Sequence, residues 1–189
     1  MTQTYSRLRV LVECALMVAL GTVLANIKIF TLANGGSITL LSMVPFIVVS
    51  YRHGIKWGLF TGFVNSLLQM LTGFYAPPSQ SILAFLGTIL LDYVLAFCCL
   101  GLASGIGKVF GSPMGSIVGG TITVCFLRFL CSFFSGVLIW GSIADGWAAW
   151  LFSLQYNASY MVPETILTTV GMVLLYRTAP QLFQRQLRG

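Results

Sequence analysis

The sequence predicts an all-α integral membrane protein with six transmembrane helices. Only 7% of its 189 residues are charged and 57% are hydrophobic, whereas about 25% of the residues in a soluble domain are charged. The mean hydropathy is +0.92. The apolar stretches approach the roughly 20 residues that a membrane-spanning helix requires. They lack the alternation of transmembrane strands, which argues against a β-barrel.

The apolar stretches divide residues 1–189 into one membrane domain of six spans. The first stretch is too long for a cleaved signal peptide, lacks a small-residue cleavage site and is followed by further spans. The second stretch is short for a span, so it could cross the membrane with less tilt or enter it only partly as a re-entrant segment. The predicted spans are 8–30, 38–51, 55–74, 81–104, 114–140 and 158–178.

The basic residues predict the orientation of these spans. If the spans alternate in direction, almost all lysines and arginines near or beyond the span ends lie on one side, and Lys28 alone flanks the other. This is the positive-inside pattern, which places both termini in the cytoplasm. The net charge of +6 therefore reports topology and not a nucleic-acid partner. The residues on the cytoplasmic side are Arg7, Arg9, Arg52, Lys56, Lys108, Arg177, Arg185 and Arg188.

Motifs for chemistry are missing from the sequence. The segment LASGIGKV, 102–109, lacks the first glycine and the Ser/Thr of a P-loop and reads as a cytoplasmic turn. His53 is the single histidine and reads as a solvated loop residue. The cysteines lie in apolar spans without a CxxC pair, so we expect small buried side chains and no metal site. They are Cys14, Cys98, Cys99, Cys125 and Cys131. We therefore expect no enzyme and no cofactor.

Three charged residues lie well inside the predicted spans, away from the span ends: Asp92, Arg128 and Glu164. A charge near the bilayer centre costs about 2.5–3.5 kcal/mol, so it faces a partner or a cavity. One interpretation is a structural ion pair between Asp92 and Arg128. The other is a polar pocket open to the outside. With all three groups ionised its net charge is about −1, which suits an organic cation held partly by cation–π contacts.

Helical spacing favours the pocket, because polar residues recur on one face of each of the last two spans. Span 5 carries Arg128, Ser132, Ser135 and Gly136, with Trp140 one turn further on, and span 6 carries Asn157, Met161, Glu164 and Thr168. Pro163 is expected near the start of span 6, where few backbone donors are committed. Both faces lead to an aromatic outer loop, 141–157. Its Trp147 and Trp150 fit either the pocket or an interfacial belt.

Four blocks of the sequence resemble a known family, and together the resemblance covers nearly the whole chain. The family is the thiamin-specific substrate-binding component (S-component, ThiT/YuaJ family) of energy-coupling factor (ECF) transporters. The block at 153–163 is the most specific of the four. The blocks are GGSITLLSMVPFIVVSYRHGIKWGLFTGF at 35–63, LLDYVLAF at 90–97, LRFLCSFFSGVLIWGS at 127–142 and SLQYNASYMVP at 153–163.

The resemblance implies a vitamin pocket. In it, Asp92 would face the positively charged thiazolium ring and Trp140 would stack on the ligand. The tyrosine-rich start of the last helix would close the pocket. Glu164 has no counterpart that can be carried over. The resemblance implies as substrate-binding residues Asp92, Tyr93, Arg128, Ser132, Gly136, Trp140, Phe152, Tyr156 and Asn157.

The chain departs from the family pattern at two of these positions. Ser132 stands where the family usually has a histidine, and Phe152 stands where it has a tyrosine. Each lost neutral hydrogen bond costs about 0.5–1.5 kcal/mol. The cation-binding half of the pocket is thus kept and the half that would read the pyrimidine is altered. The ligand implied is thiamin, or a thiamin precursor or analogue.

The resemblance also implies partners in the bacterial plasma membrane. The protein would capture the vitamin outside, with loop 31–37 as a lid, and associate with an ECF transmembrane coupling protein and two cytoplasmic ATPases. The docking face would be the AxxxA pair Ala15 and Ala19 on span 1. From the residues alone, that pair could equally pack internally. Two alternatives stay open: an autonomous carrier or channel for an organic cation, and a membrane enzyme or assembly factor.

Overall fold

The computed structural model describes residues 2–32, 35–79, 81–144 and 148–183. In this part of the chain six helices form the fold, and four of them, α1, α4, α5 and α6, are long and apolar enough to cross a membrane. The predicted class, an all-α multi-pass membrane protein, is confirmed. The helices are α1 (Thr2–Asn26), α2 (Val44–His53), α3 (Ile55–Gly73), α4 (Ile82–Phe110), α5 (Pro113–Leu138) and α6 (Ala149–Thr178).

A β-hairpin separates α1 from α2. Strand β1 (Lys28–Thr31) pairs antiparallel with β2 (Ser37–Thr39). The prediction that span 1 reaches residue 30 and that span 2 begins at 38 is therefore wrong. Ile29 and Phe30 are apolar, but they lie on a strand and are more than half exposed, so hydropathy alone extended the helix too far. The predicted lid, 31–37, forms part of this hairpin, although residues 33–34 lie outside the described residues.

Helix α2 is a short central element. Its ten residues rise about 15 Å, half of a hydrocarbon core of about 30 Å. Every residue from Val44 to Tyr51 is buried, so the other helices surround α2 and it stands free of lipid. It turns into α3 at Gly54, whose φ of 90° is readily adopted only by glycine. The predicted short second span is thus an internal core helix.

Two more errors in the predicted spans lie at helix ends. Helix α4 continues in tight turns to Phe110, so LASGIGKV lies within a helix and not in a turn. Helix α6 begins at Ala149, nine residues before the predicted start at 158. Pro163 therefore lies inside the helix, where it removes one backbone hydrogen bond without ending the helix. The polar residues before it belong to a helix face that covers a cavity.

The basic ends of the helices meet at one end of the bundle, as the charge pattern predicts. Glu13 of α1 accepts hydrogen bonds from Arg52 at 2.6 Å and from Arg9 at 3.2 Å, and it lies 2.8 Å from Nε2 of His53. The His53 side chain is only 7% exposed, so the expected solvated histidine is wrong. Phe183, after α6, packs its ring on Tyr51 at the same end. Arg185 and Arg188 lie outside the described residues.

Candidate functional site

A cavity of about 550 Å³ lies between α4, α5, α6 and the hairpin. This is within the range of about 300–1,000 Å³ that is typical of small-molecule pockets. The structure brings all nine predicted substrate-binding residues onto its lining, and their roles stay a prediction. They are Asp92, Tyr93, Arg128, Ser132, Gly136, Trp140, Phe152, Tyr156 and Asn157.

Asp92 is held by Ser135 of α5 and by Trp140, which lies two residues after the end of α5. Its Oδ2 accepts hydrogen bonds from Ser135 Oγ at 2.5 Å and from Trp140 Nε1 at 3.3 Å. Asp92 lies in a π-helical segment of α4, Ile89–Leu95, and such wide turns are frequent at functional sites. Within the described ranges every ion pair involves Glu13. The alternative of an ion pair between Asp92 and Arg128 is therefore wrong.

Arg128 lies deeper in the bundle than Asp92. It is seven residues before Ser135 on α5, a rise of about 10 Å. Its guanidinium carbon is 4.6 Å from the centre of the Phe97 ring, which is a cation–π contact. Its Nη1 is buried and makes no hydrogen bond within the described part of the chain. Arg128 therefore offers a donor at the inner end of the cavity.

Asn157 joins α6 to α5. Its Nδ2 donates to the carbonyl of Ser153 at 2.9 Å and to that of Ser132 at 3.3 Å, and its Oδ1 accepts from Tyr160 at 2.8 Å. Gly136 lets the helices come this close, because a Cβ there would overlap Ser153 Oγ. The backbone and side chains thus already use much of the Asn157 amide, which fixes this wall of the cavity.

Aromatic rings form the rest of the outer wall. Tyr93 stacks on Phe74 with 5.4 Å between ring centres, and Tyr75 lies 6.4 Å from Trp140. Phe152 stacks on Tyr156 at 6.1 Å, so the substituted position keeps its ring at the cavity. These rings surround the space beside the Asp92 carboxylate, an arrangement that favours an organic cation.

Of the two loop tryptophans, one is placed by the structure. Trp150 is 56% exposed and does not line the cavity, so it belongs to the outer surface, as an interfacial belt requires. Trp147 and Asp145 lie outside the described residues.

Several lining residues escaped the sequence analysis: Tyr75, Tyr160, Thr39 and Lys28. Tyr160 is one turn beyond Tyr156, so the helical period of α6 could have found it. Lys28 is exposed on the lining, so the expected net charge of −1 is offset at the rim. Glu164 also lines the cavity, although the resemblance gave it no role.

The small residues of α1 lie on different faces of the helix. Gly21 is buried, and a Cβ added there would meet the Phe46 ring. Ala15 and Ala19 are exposed, on a face that also presents Leu16 at 64% exposure. The alternative that Ala15 and Ala19 pack inside this chain is therefore wrong, and their face is available to lipid or to another protein.

Fold and cavity together define a multi-pass membrane protein with a cavity of the size of a small-molecule site. The model of the family described as "Thiamine transporter protein (Thia_YuaJ)" matches residues 11–184. The chain belongs to this family, which is described as one of transporter proteins.

Three relatives agree with this assignment. The chain is 32% identical to the thiamine transporter ThiT of Bacillus subtilis (strain 168) over 188 residues, which cover 92% of this chain and 93% of the relative. It is 28% identical to ThiT of Lacticaseibacillus paracasei, covering 96% and 93% respectively. A solved structure of ThiT from Listeria monocytogenes superimposes with a TM-score of 0.75 at 28% identity, covering 94% of this chain and 98% of that one.

Proposed function

We propose that this protein is the high-affinity substrate-binding subunit of an ECF-type transporter that imports thiamin or a close thiamin precursor. One observation carries the proposal. The Asp92 carboxylate is fixed by Ser135 and Trp140 beside an aromatic-lined cavity of about 550 Å³. A fixed negative charge among aromatic faces selects an organic cation. The relatives named as thiamine transporters support the choice of thiamin.

Thiamin has two parts, and the cavity offers a different environment to each. Its thiazolium ring carries a permanent positive charge, which fits between Asp92 and the Trp140 ring. Its aminopyrimidine is neutral and needs hydrogen bonds. Ser132 would supply one, and Asn157 would supply another through the second lone pair of its Oδ1, which already accepts from Tyr160. Phe152 would be the flat neighbour. In this arrangement the cation contributes charge attraction and the pyrimidine contributes specificity.

Transport would require partners. We propose that the exposed face of α1 with Ala15 and Ala19 docks on an ECF transmembrane coupling protein, because small residues let helices approach closely in lipid. Two cytoplasmic ATPases would then supply the energy, since the chain has no P-loop of its own. The protein itself would bind and release the vitamin without catalysing a reaction.

The first experiment is a thiamin titration of the purified protein in detergent, followed by tryptophan fluorescence. We expect saturable quenching with one site per chain, since Trp140 would contact the ligand, and much less quenching in Trp140→Phe. Absence of binding in a folded sample would refute the proposal. Thiamin flux into liposomes that contain this chain alone would favour the autonomous carrier.

Replacing Ser132 by His is expected to tighten thiamin binding about three- to tenfold, because a longer donor would reach the pyrimidine and restore one hydrogen bond. Fluorescence titration measures the dissociation constant. Ser159 is exposed on α6 and does not line the cavity, so Ser159→His is the matched control. Weaker binding in Ser132→His alone would show that serine suits a different ligand.

The double variant Ala15→Leu and Ala19→Leu is expected to bind thiamin normally and to lose about tenfold in uptake, because the leucines would hold a partner helix away. Binding is measured on purified protein, and uptake in cells that supply the coupling protein and ATPases. Ala148→Leu, another exposed alanine, should change neither. Normal uptake by the double variant would exclude this face as the docking surface.

A further inference from the structure

We propose that Glu164 is a positioning residue that holds strand β2 against α6, over the cavity, and so slows release of the ligand. The buried carboxylate would act on the ligand only through the strand. For the ligand itself this inference rests on the proposed function. The position of the strand can be tested without any ligand.

Glu164 makes its contacts with the end of β2 and the residues after it. The side chain is 3% exposed. Its Oε2 accepts the backbone N–H of Thr39 at 2.7 Å, and its Oε1 lies 2.5 Å from Thr39 Oγ1 and 3.4 Å from Ser42 Oγ. Both oxygens are therefore occupied by groups that are 122–125 residues away in the sequence.

Asp92 and Glu164, the two carboxylates on the cavity lining, differ in whether both oxygens are used in hydrogen bonds within the described residues. Asp92 uses Oδ2 for its protein contacts, and within the described residues its Oδ1 makes no hydrogen bond. Glu164 uses both oxygens, and within those residues it has no ion-pair partner. Asp92 can thus receive a ligand as it stands. Glu164 would have to release β2 first, so we assign it to the strand.

Burial gives this contact its strength. A buried carboxylate is costly unless it is well hydrogen-bonded, and hydrogen bonds to a charged group are stronger than those between neutral groups. When β2 lifts from α6, Glu164 loses the donors of Thr39. The conformation with the strand over the cavity is therefore favoured before a ligand binds.

A second contact ties the other end of the strand to the same helix. The N–H of Gly36 donates to the Tyr156 hydroxyl at 2.8 Å, and a Cβ at Gly36 would overlap the Tyr160 ring. From Gly36 to Thr39 an extended chain covers about 10 Å, and from Tyr156 to Glu164 the helix rises about 12 Å. The strand thus runs beside α6 and is fastened at both ends.

The test compares Glu164→Gln and Thr39→Val, which weaken the same contact from opposite sides. Hydrogen exchange of the ligand-free protein measures the strand position, and stopped-flow fluorescence with thiamin measures release. We expect both variants to exchange the amides of residues 35–39 at least about tenfold faster and to release thiamin at least about tenfold faster. Thr169→Val, whose hydroxyl bonds only within α6, is the matched control.

In the double variant Glu164→Gln with Thr39→Val the increase should be smaller than the product of the two single increases, because both changes weaken the same contact. Unchanged exchange at residues 35–39 would overturn the proposal, as would effects of the two changes that multiply. Faster thiamin release in Glu164→Gln alone, with unchanged exchange, would also overturn it, since Glu164 would then contact the ligand. If thiamin does not bind at all, the proposed function fails and the exchange result still decides the role of Glu164.

Discussion

Replacing Asp92 by Asn is expected to weaken thiamin binding at least about 30-fold. Removing one member of a desolvated charge pair costs about 2–5 kcal/mol, and 1.4 kcal/mol corresponds to a factor of ten. Asparagine keeps the shape and can still accept from Ser135 or Trp140, which hold the carboxylate at 2.5 and 3.3 Å. The loss of thiamin affinity therefore measures what the negative charge of Asp92 contributes to binding. Fluorescence titration or calorimetry gives both dissociation constants.

A neutral ligand shows whether Asp92 acts through its negative charge or through the shape of the cavity. An analogue of thiamin whose ring nitrogen is replaced by carbon has the same shape without the positive charge. It should bind the wild type weakly and Asp92→Asn almost equally well. If the variant loses thiamin and the analogue by the same factor, Asp92 maintains the shape of the cavity and does not attract the cation. Unchanged thiamin affinity would remove Asp92 from the site altogether.

The ends of α3 and α5 were predicted closely. Helix α3 was expected at 55–74 and observed at Ile55–Gly73, and α5 was expected at 114–140 and observed at Pro113–Leu138. Hydropathy succeeds here because both helices keep apolar side chains on their exposed faces up to their ends, such as Leu71 and Leu138.

Hydropathy failed where polar residues line a cavity or where apolar residues form a strand. The early turns of α6 carry Ser153, Tyr156 and Asn157, which lowered the apolar signal although the backbone is helical. Ile29 and Phe30 of β1 are apolar and exposed, so a window average merges them with α1. Neither error can be corrected from composition, because composition does not show which surface a residue faces.

The site was predicted from the helix period and the family resemblance, and the lining residues that were missed, apart from Tyr160, have no local pattern. Tyr160 lies one turn from a predicted residue, whereas Thr39 reaches Glu164 across 125 residues of sequence. The π-helical turn around Asp92 likewise leaves no trace in LLDYVLAF, since it depends on how α4 packs against its neighbours. Tertiary contacts of this kind require the three-dimensional structure.

Replacing Gly101 by Ala is expected to destabilise the protein by about 3 kcal/mol or more, because helices α3 and α4 touch there through their backbones. A Cβ at Gly101 would overlap the Gly58 carbonyl carbon and the Leu59 nitrogen. Backbone atoms cannot move aside as a flexible side chain can, so the helices must separate. Separation would also strain the hydrogen bond of 2.6 Å from Ser50 Oγ to the Gly101 carbonyl.

Thermal unfolding in detergent, without ligand, measures this effect, and about 3 kcal/mol corresponds to a fall in Tm of about 6–12 °C for a chain of this size. Gly73→Ala is the matched control, since a Cβ at Gly73 meets nothing within 4 Å; its Tm should stay within about 2 °C of the wild type. Because α4 also carries Asp92, the Gly101 variant should lose thiamin affinity together with stability. Equal Tm values for the two alanine variants would show that α3 and α4 do not meet at Gly58 and Gly101. The position of α4, and with it the placement of Asp92 against α5, would then be contradicted as well.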